Sequence, residues 1–517
     1  DFKKCKIFHN ISYLLPGKMS SKFGNLFDEI WPISQPEYTE FGRKLLQNCK
    51  EIKRPDPLAL ADISRKSSEF PIKFPISSCR VIAQPKDRQH FIRQQAASAY
   101  PLVHERVLWL FTRFLEHKTQ HGSQIEKEIY SNMTLPQFVQ RLLTKRCVSF
   151  FAKNDKYLLL TGERGASGFV EIGTVKEAPP LIFRNCLSYD EIKLGALLSV
   201  SSQTEFINDG NRKNLGKVEP NKSKIERNGV IIGIIGARLS RRDLMEFQDI
   251  VVSRTQNTVE NGYGPKKPVE ANSTLQRKFD YRQVWNDFYD EKGILFEKIK
   301  KDGKRFDVSR NKNDIFDNLV MKKRYTISFD TLLLESEARA AKSDQKAYIH
   351  VVGIGLGVWK AAQQQEEIFL MTFSQRLNVL LPKLNHISCV HFSWFHMDKC
   401  GEIKNGNILK SDGHPNGGIR VFMSKRNPAD KLKGPELENS LLIVSYAWDG
   451  GALPGNEFWG MLSSTGDPAA ACSSLISELH NPHINDSMVS GENLHVASSD
   501  FSLLHISEYA KKKLSVE

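Results

Sequence analysis

The chain has no pair of cysteines at C-x-x-C spacing. Its eight cysteines, Cys5, Cys49, Cys79, Cys147, Cys186, Cys389, Cys400 and Cys472, are scattered over 517 residues. That scatter argues against a zinc module and a disulfide framework, and it fits a reducing compartment. No apolar run approaches the roughly 18–20 residues that cross a bilayer. The stretch "NISYLLPG" is too short and too polar for a secretory signal core. A cytoplasmic protein with no membrane partner is therefore expected. The sequence shows no internal repeat, helix-turn-helix, RNP motif or zinc finger, so a nucleic-acid scaffold lacks support. Acidic residues are the scarcer charge, 59 against 73 Lys+Arg, for a net +14. This balance favours anionic partners such as phosphates, and a lysine-rich solubilising surface explains it equally well. The first methionine is Met19, so the leading 18 residues are expected to be a cloning or gene-model extension.

What is present is the composition of an ordinary globular chain. It is 40% hydrophobic and 10% aromatic, enough to bury a large core. The length suggests two to four domains, or one large domain with an extension. Residues 1–150 read as a mainly helical N-terminal region. "PEYTEFGRKLLQNCKEI", "VHERVLWLFTRFLEHKTQ" and "LPQFVQRLLTKRCVSFFAK" carry apolar residues at helical spacing, and Pro136 suits a first helical turn. No group of residues there looks catalytic, which leaves a packing or partner-binding role. Residues 151–517 read as α/β. The runs "YLLLTG", "LGALLSVSSQTEFI", "GVIIGIIGARL", "AYIHVVGIG", "ISCVHFSWF", "IRVFMS" and "SLLIVSYAWD" alternate with amphipathic stretches, predicting a mixed sheet covered by helices. Residues 255–315 are more polar and read as an insertion or flexible excursion.

In such a sheet ligands bind in loops at the carboxyl ends of strands. Three loops stand out. "TEFINDGNRKNLG" offers Asn208, Asp209, Gly210 and Asn211, turn formers able to present amides and a carboxylate. "HVVGIGLGVWK" ends a strand in Gly353, Gly355 and Gly357 with Trp359 beyond, a junction that lets backbone N–H groups meet a diphosphate or simply turns the chain. "SYAWDGGALPGNEFWGMLSSTGDPAAA" places Asp449 at a strand end, then Gly450, Gly451 and Glu457. It continues to Asp467 at a helix N-cap, with Pro468 first in the helix. Asp449 has no capping duty, so its removal is expected to cost little stability. Calcium or magnesium is the competing use of these carboxylates. His386, His391 and His396 stand five residues apart, a spacing of neither one strand face nor a helical pair, and no metal is assigned to them.

The order of these loops resembles a macrodomain. "AWDGGALPGNEFW", "SSTGDPAAA" and "ELHNPHIN" resemble more narrowly the MavL-type ADP-ribosylhydrolases, known from bacterial effectors with relatives in eukaryotes. "FINDGNRKNLG" and "GIGLGVW" fit in the same order, over roughly 155 to 500. The resemblance implies a macrodomain-like fold and cleavage of ADP-ribose from modified arginine in a protein. It needs no cofactor, and it implies the host cytosol for an effector-like member. Asp449, Glu457 and Asp467 form the implied acidic set, with aspartate possible where Glu457 stands. Asn208, Asp209, Gly210 and Asn211 would face the distal ribose, and the Gly353, Gly355, Gly357, Trp359, Gly450 and Gly451 backbone would wrap the diphosphate. Glu226 sits where related glycohydrolases place glutamates before a strand, although surface charge explains it as well. The chemistry is coherent, because carboxylates partner a guanidinium and stabilise an oxocarbenium-like state. A non-catalytic ADP-ribose reader would need the glycines and not the acids.

Overall fold

The computed structural model describes residues 22–265, 270, 273–461 and 466–516, without the side chains of 466–468. The central sheet has ten strands. In chain order they are β1 (Tyr100–His104), β2 (Ser199–Glu205), β3 (Asn228–Ile235), β4 (Ala347–Val351) and β5 (Ile387–Phe392). Then come β6 (Ile408–Lys410), β7 (Gly418–Met423), β8 (Leu441–Trp448), β9 (His495–Ser498) and β10 (Ser502–His505). Across the sheet the order is β6-β7-β5-β4-β8-β3-β2-β1-β9-β10. The block β7-β5-β4-β8-β3 is parallel throughout, and β2 runs antiparallel to both β3 and β1. "NGVIIGII" and "LLIVSYAW" are apolar on both faces because both faces of these central strands are buried.

Helix α1 (Asn318–Ser343) crosses one face of the sheet and packs on α2 (Gln365–Leu380). Asp317 starts α1 by accepting the N–H groups of Leu319 and Val320 at 3.0 and 3.2 Å. From this helix Arg324 donates to the carbonyls of Ala196 and Ile235, both at 3.0 Å, and pairs with Glu246. The carboxyl end of β3 is thereby fastened to the helix layer.

Two expectations change. β1 lies inside the region read as helical, between β2 and β9, and one hydrophobic cluster runs from Phe23 to Ala510. Residues 1–150 and 151–517 therefore share a sheet and a core, with no break at 150. The polar stretch 255–315 contains a helix over Thr274–Tyr289 that buries Trp285, Phe288 and Tyr289. Its surface polarity concealed these core aromatics and the buried Phe279 beside them. Among the described residues no helix is long and apolar enough to cross a membrane.

Candidate functional site

Because the central block is parallel, the chain leaves β3, β8 and β4 at one end of the sheet. β8 lies between the other two, and their loops close over its exit. A Cβ on Gly236, just past β3, would stand 2.7 Å from the Gly355 nitrogen, so glycine is what allows these loops to touch. Gly355 itself has φ +73°, the left-handed region. Gly353 lies against Leu356 and Phe395, whereas a Cβ on Gly357 would meet open space. Trp359 is half-buried beyond them.

Asp449 is the first residue after β8 and is only 2% exposed. One carboxylate oxygen accepts the Gly451 N–H at 2.9 Å, and the other accepts from Arg238 at 3.0 Å. The second amino nitrogen of Arg238 donates to Asp155 at 2.6 Å and to the Ala152 carbonyl at 3.2 Å. The guanidinium stacks on Phe150 at 4.3 Å, with the Trp359 ring at 5.9 Å. Asp155 also accepts from the Tyr189 hydroxyl at 2.6 Å and pairs with Arg241 at 3.1 Å. Burial pushes the Asp449 carboxyl up, Arg238 and the Gly451 N–H pull it back, and Asp155 adds to the rise. Arg146, stacked on Trp448 at 4.3 Å, is lowered by burial to about 9 against the pull of Asp449. The sequence reading of Asp449 as a dispensable strand-end carboxylate is thus corrected: it anchors a buried ion pair.

The loop after β8 is held by the segment before and within the small sheet of Ser149–Phe151, Lys156–Leu158 and Arg164–Ala166. The Cys147 N–H donates to the Gly451 carbonyl at 3.0 Å, and the Leu453 N–H donates to the Cys147 carbonyl at 2.8 Å. Asn456 clasps the Phe150 backbone in both directions, accepting at 2.6 Å and donating at 2.9 Å. It begins α3 (Asn456–Trp459), which carries the half-buried Glu457. Gly450 and Gly451 are packed against protein: added Cβ atoms would meet the Ile192 carbonyl at 2.6 Å and Phe150 at 2.6 Å. Glycine is what fits the loop to these neighbours. Helix α4 (Gly466–Ser473) begins before Asp467, which therefore falls within the first turn and not at the cap. The Asp467 side chain lies outside the described residues.

The structure does not bring Asn208, Asp209, Gly210 and Asn211 to this group. Glu205 ends β2 opposite Asn228 at the start of β3, whereas Trp448 lies opposite Ile235 at its end. Seven strand residues separate those rows, roughly 23 Å. The loop's polar atoms are engaged locally. Asn208 accepts from Gly210 N–H at 2.9 Å and donates to Asn214 and to the Cys472 carbonyl, both at 3.1 Å. Asp209 accepts from Asn211 N–H and Asn427, both at 2.9 Å. With Asn214 donating to the Ala469 carbonyl at 3.0 Å, this loop buttresses α4. Glu226 accepts from Lys431 and the Leu432 N–H, each at 3.0 Å, ahead of β3 and away from Asp449.

The three histidines serve separate partners. His386 meets Glu337 at 2.7 Å, His396 meets Glu366 at 3.0 Å, and His391 lies between the Tyr348 hydroxyl and the Ser424 carbonyl. No group of three or more potential metal ligands occurs among the described residues. The residues that sequence reasoning missed are Arg238, Asp155 and Asn456. Only the position of Arg238, three residues past an apolar run in "GIIGARL", signalled one of them.

Comparison with known proteins adds to this geometry. The profile of a family described as "ADP-ribosylhydrolase MavL-like" matches residues 61–512. A Drosophila melanogaster protein named as an ADP-ribosylarginine hydrolase is 54% identical over 503 residues, covering 96% of this chain and 99% of that relative. A second Drosophila melanogaster protein of the same description is 53% identical over 489 residues, covering 93% and 95%.

Proposed function

The chain belongs to the MavL-like ADP-ribosylhydrolase family, and we propose that it removes ADP-ribose from modified arginine in a protein substrate. The observation that carries this reading is the 54% identity, over nearly the full length of both chains, to an ADP-ribosylarginine hydrolase. The geometry supports it. A buried carboxylate stands where the parallel strands end, beneath two touching glycine loops. In this reading the parallel block is macrodomain-like, and ADP-ribose lies across the carboxyl ends of β3, β8 and β4. Gly355, Gly357 and Trp359 face the diphosphate side, since the space above Gly357 is open. The fold positions these loops without Asn208–Asn211, so the ligand set drawn here omits them.

The acidic set is Asp449, Glu457 and Asp467. The substrate joins C1″ of ribose to a guanidinium nitrogen. In hydrolysis that bond breaks, water adds its oxygen to C1″, and arginine leaves with the water's second proton. Asp449, buried and fixed by two hydrogen bonds, suits electrostatic stabilisation of the oxocarbenium-like state. Glu457 is half-exposed, which suits contact with the attacking water. Asp467, in the first turn of α4, is the third acid of the set by its place in the sequence. A cytoplasmic location belongs to the same reading, supported by seven buried cysteines outside any disulfide among the described residues.

Release of ADP-ribose from arginine-linked, serine-linked and glutamate-linked substrates tests this. Turnover of the arginine linkage should exceed the other two by at least about tenfold, because only its leaving group carries a guanidinium for the carboxylates. Equal turnover of all three, or none of the arginine linkage, would sink the reading.

A further inference from the structure

We propose that Arg238 is a positioning residue for this hydrolysis, set between two buried carboxylates so that it fixes both the orientation and the charge of Asp449. The inference rests on the function proposed above. Arg238 is 4% exposed, Asp449 2% and Asp155 fully buried. One end of the guanidinium fork is bonded to Asp449 at 3.0 Å and the other to Asp155 at 2.6 Å. Phe150 supports its face at 4.3 Å. Its own backbone N–H donates to Glu246 at 3.3 Å, and Glu246 is tied to Arg324. The planar fork therefore cannot rotate without breaking contacts at both ends.

A structural ion pair needs one carboxylate for one guanidinium. Here two carboxylates share one, and Arg238 and Asp155 act on Asp449 with opposite sign. Arg238 is a fixed positive charge that favours ionised Asp449, because guanidinium does not deprotonate. Asp155 is a negative charge that opposes it. The other titratable groups that act on Asp449 are Arg146 and Cys147 on the preceding segment. Arg241 and Tyr189 act on Asp155 and reach Asp449 only through it.

The test is the pH dependence of kcat on an arginine-linked substrate, using the full chain and following circular dichroism for folding. Arg238→Gln should move the acid limb up by at least about one pH unit, since an adjacent opposite charge shifts a carboxylate by that much or more. Asp155→Asn should move it down. Arg238→Lys keeps the charge and loses the fork, so it should return the limb toward its original position while leaving kcat low. Damage to packing alone would not move the limb in opposite directions. An unmoved limb, or both variants moving the same way, overturns the proposal. If Arg238→Gln does not fold, Asp155→Asn decides: a limb that stays or rises is the refuting result. Failure here with an active unmutated protein refutes only the role of Arg238. An unmutated protein that releases nothing from the arginine linkage refutes the proposed function, and this role falls with it.

Discussion

Asp449→Ala should unfold more easily than its place in the sequence suggests. Removing one partner from a buried ion pair leaves the other charge uncompensated, at a cost of about 3–5 kcal/mol. Arg238 keeps Asp155 at 2.6 Å and the Ala152 carbonyl at 3.2 Å, so the lower end of that range applies. The Gly451 N–H also loses its acceptor inside the core, which adds about 1 kcal/mol. The expected loss is therefore about 3–4 kcal/mol. Asp449→Asn retains an acceptor and the shape, so it should lose about half as much. Urea denaturation followed by tryptophan fluorescence measures each variant. The pair Asp449→Ala and Arg238→Gln should be non-additive, the double variant losing at least about 1 kcal/mol less than the sum. An Asp449→Ala protein within about 0.5 kcal/mol of the parent would refute the ion-pair account. Catalysis should fall by about 10²–10⁴-fold in any variant that folds.

The glycine loop and the buried histidines give two more tests. Gly357→Val enters open space, so the protein should fold normally yet lose the thermal stabilisation that ADP-ribose gives the parent. That stabilisation should be about 2.7 kcal/mol at 100 times the dissociation constant and far smaller with adenosine; an unfolded variant, or unchanged ADP-ribose stabilisation, would count against a diphosphate at this loop. His480, bonded to the Ser202 and Tyr446 hydroxyls, is lowered by burial to about 3. Its folded pKa lies below the unfolded value near 6.5, so its contribution is complete above pH 6.5 and is lost as pH falls toward the folded value. His480→Gln should therefore flatten the fall in stability between pH 6 and pH 5 by about 1 kcal/mol per pH unit, and an unchanged slope in urea denaturation would refute this.

The strands at the centre of the parallel block, β3, β8 and β4, were legible because they are buried on both faces and read as apolar runs. α1 was not. "NLVMKKRYTISFDTLLLESEARAAKS" is buried along most of its length, so it shows no single apolar stripe. Its charges are paired inside the core: Arg324 with Glu246, Asp330 with Arg376, and Glu335 with Arg339. Such pairs make a core helix look like a surface one. The position of Asp449 at a strand end could be read from "LLIVSYAWD", but its environment could not. Its partner Arg238 lies 211 residues earlier, and the counterweight Asp155 lies 83 residues before that arginine. The Asn208 loop shows the reverse limit. Asn-Asp-Gly-Asn has the chemistry of a ligand loop and of a chain of local turns, and only the contacts with Cys472 and Ala469 distinguish them.

The Arg238 pair also bears on why an enzyme for arginine linkages would keep its own arginine beside the carboxylate proposed as catalytic. Burial raises the Asp449 carboxyl, and a protonated acid is a poor partner for a guanidinium. Arg238 opposes that rise and leaves acceptor sites of Asp449 unused. A carboxylate has about four acceptor sites, and Asp449 spends one on Arg238 and one on Gly451. About two remain for a substrate. Asp155 holds the far end of the fork, so Arg238 cannot swing across and fill them. A substrate guanidinium brings donors and a positive charge to those acceptor sites, and a serine or glutamate linkage does not. The same pair that makes Asp449 costly to remove thus holds it oriented and favours its charged form.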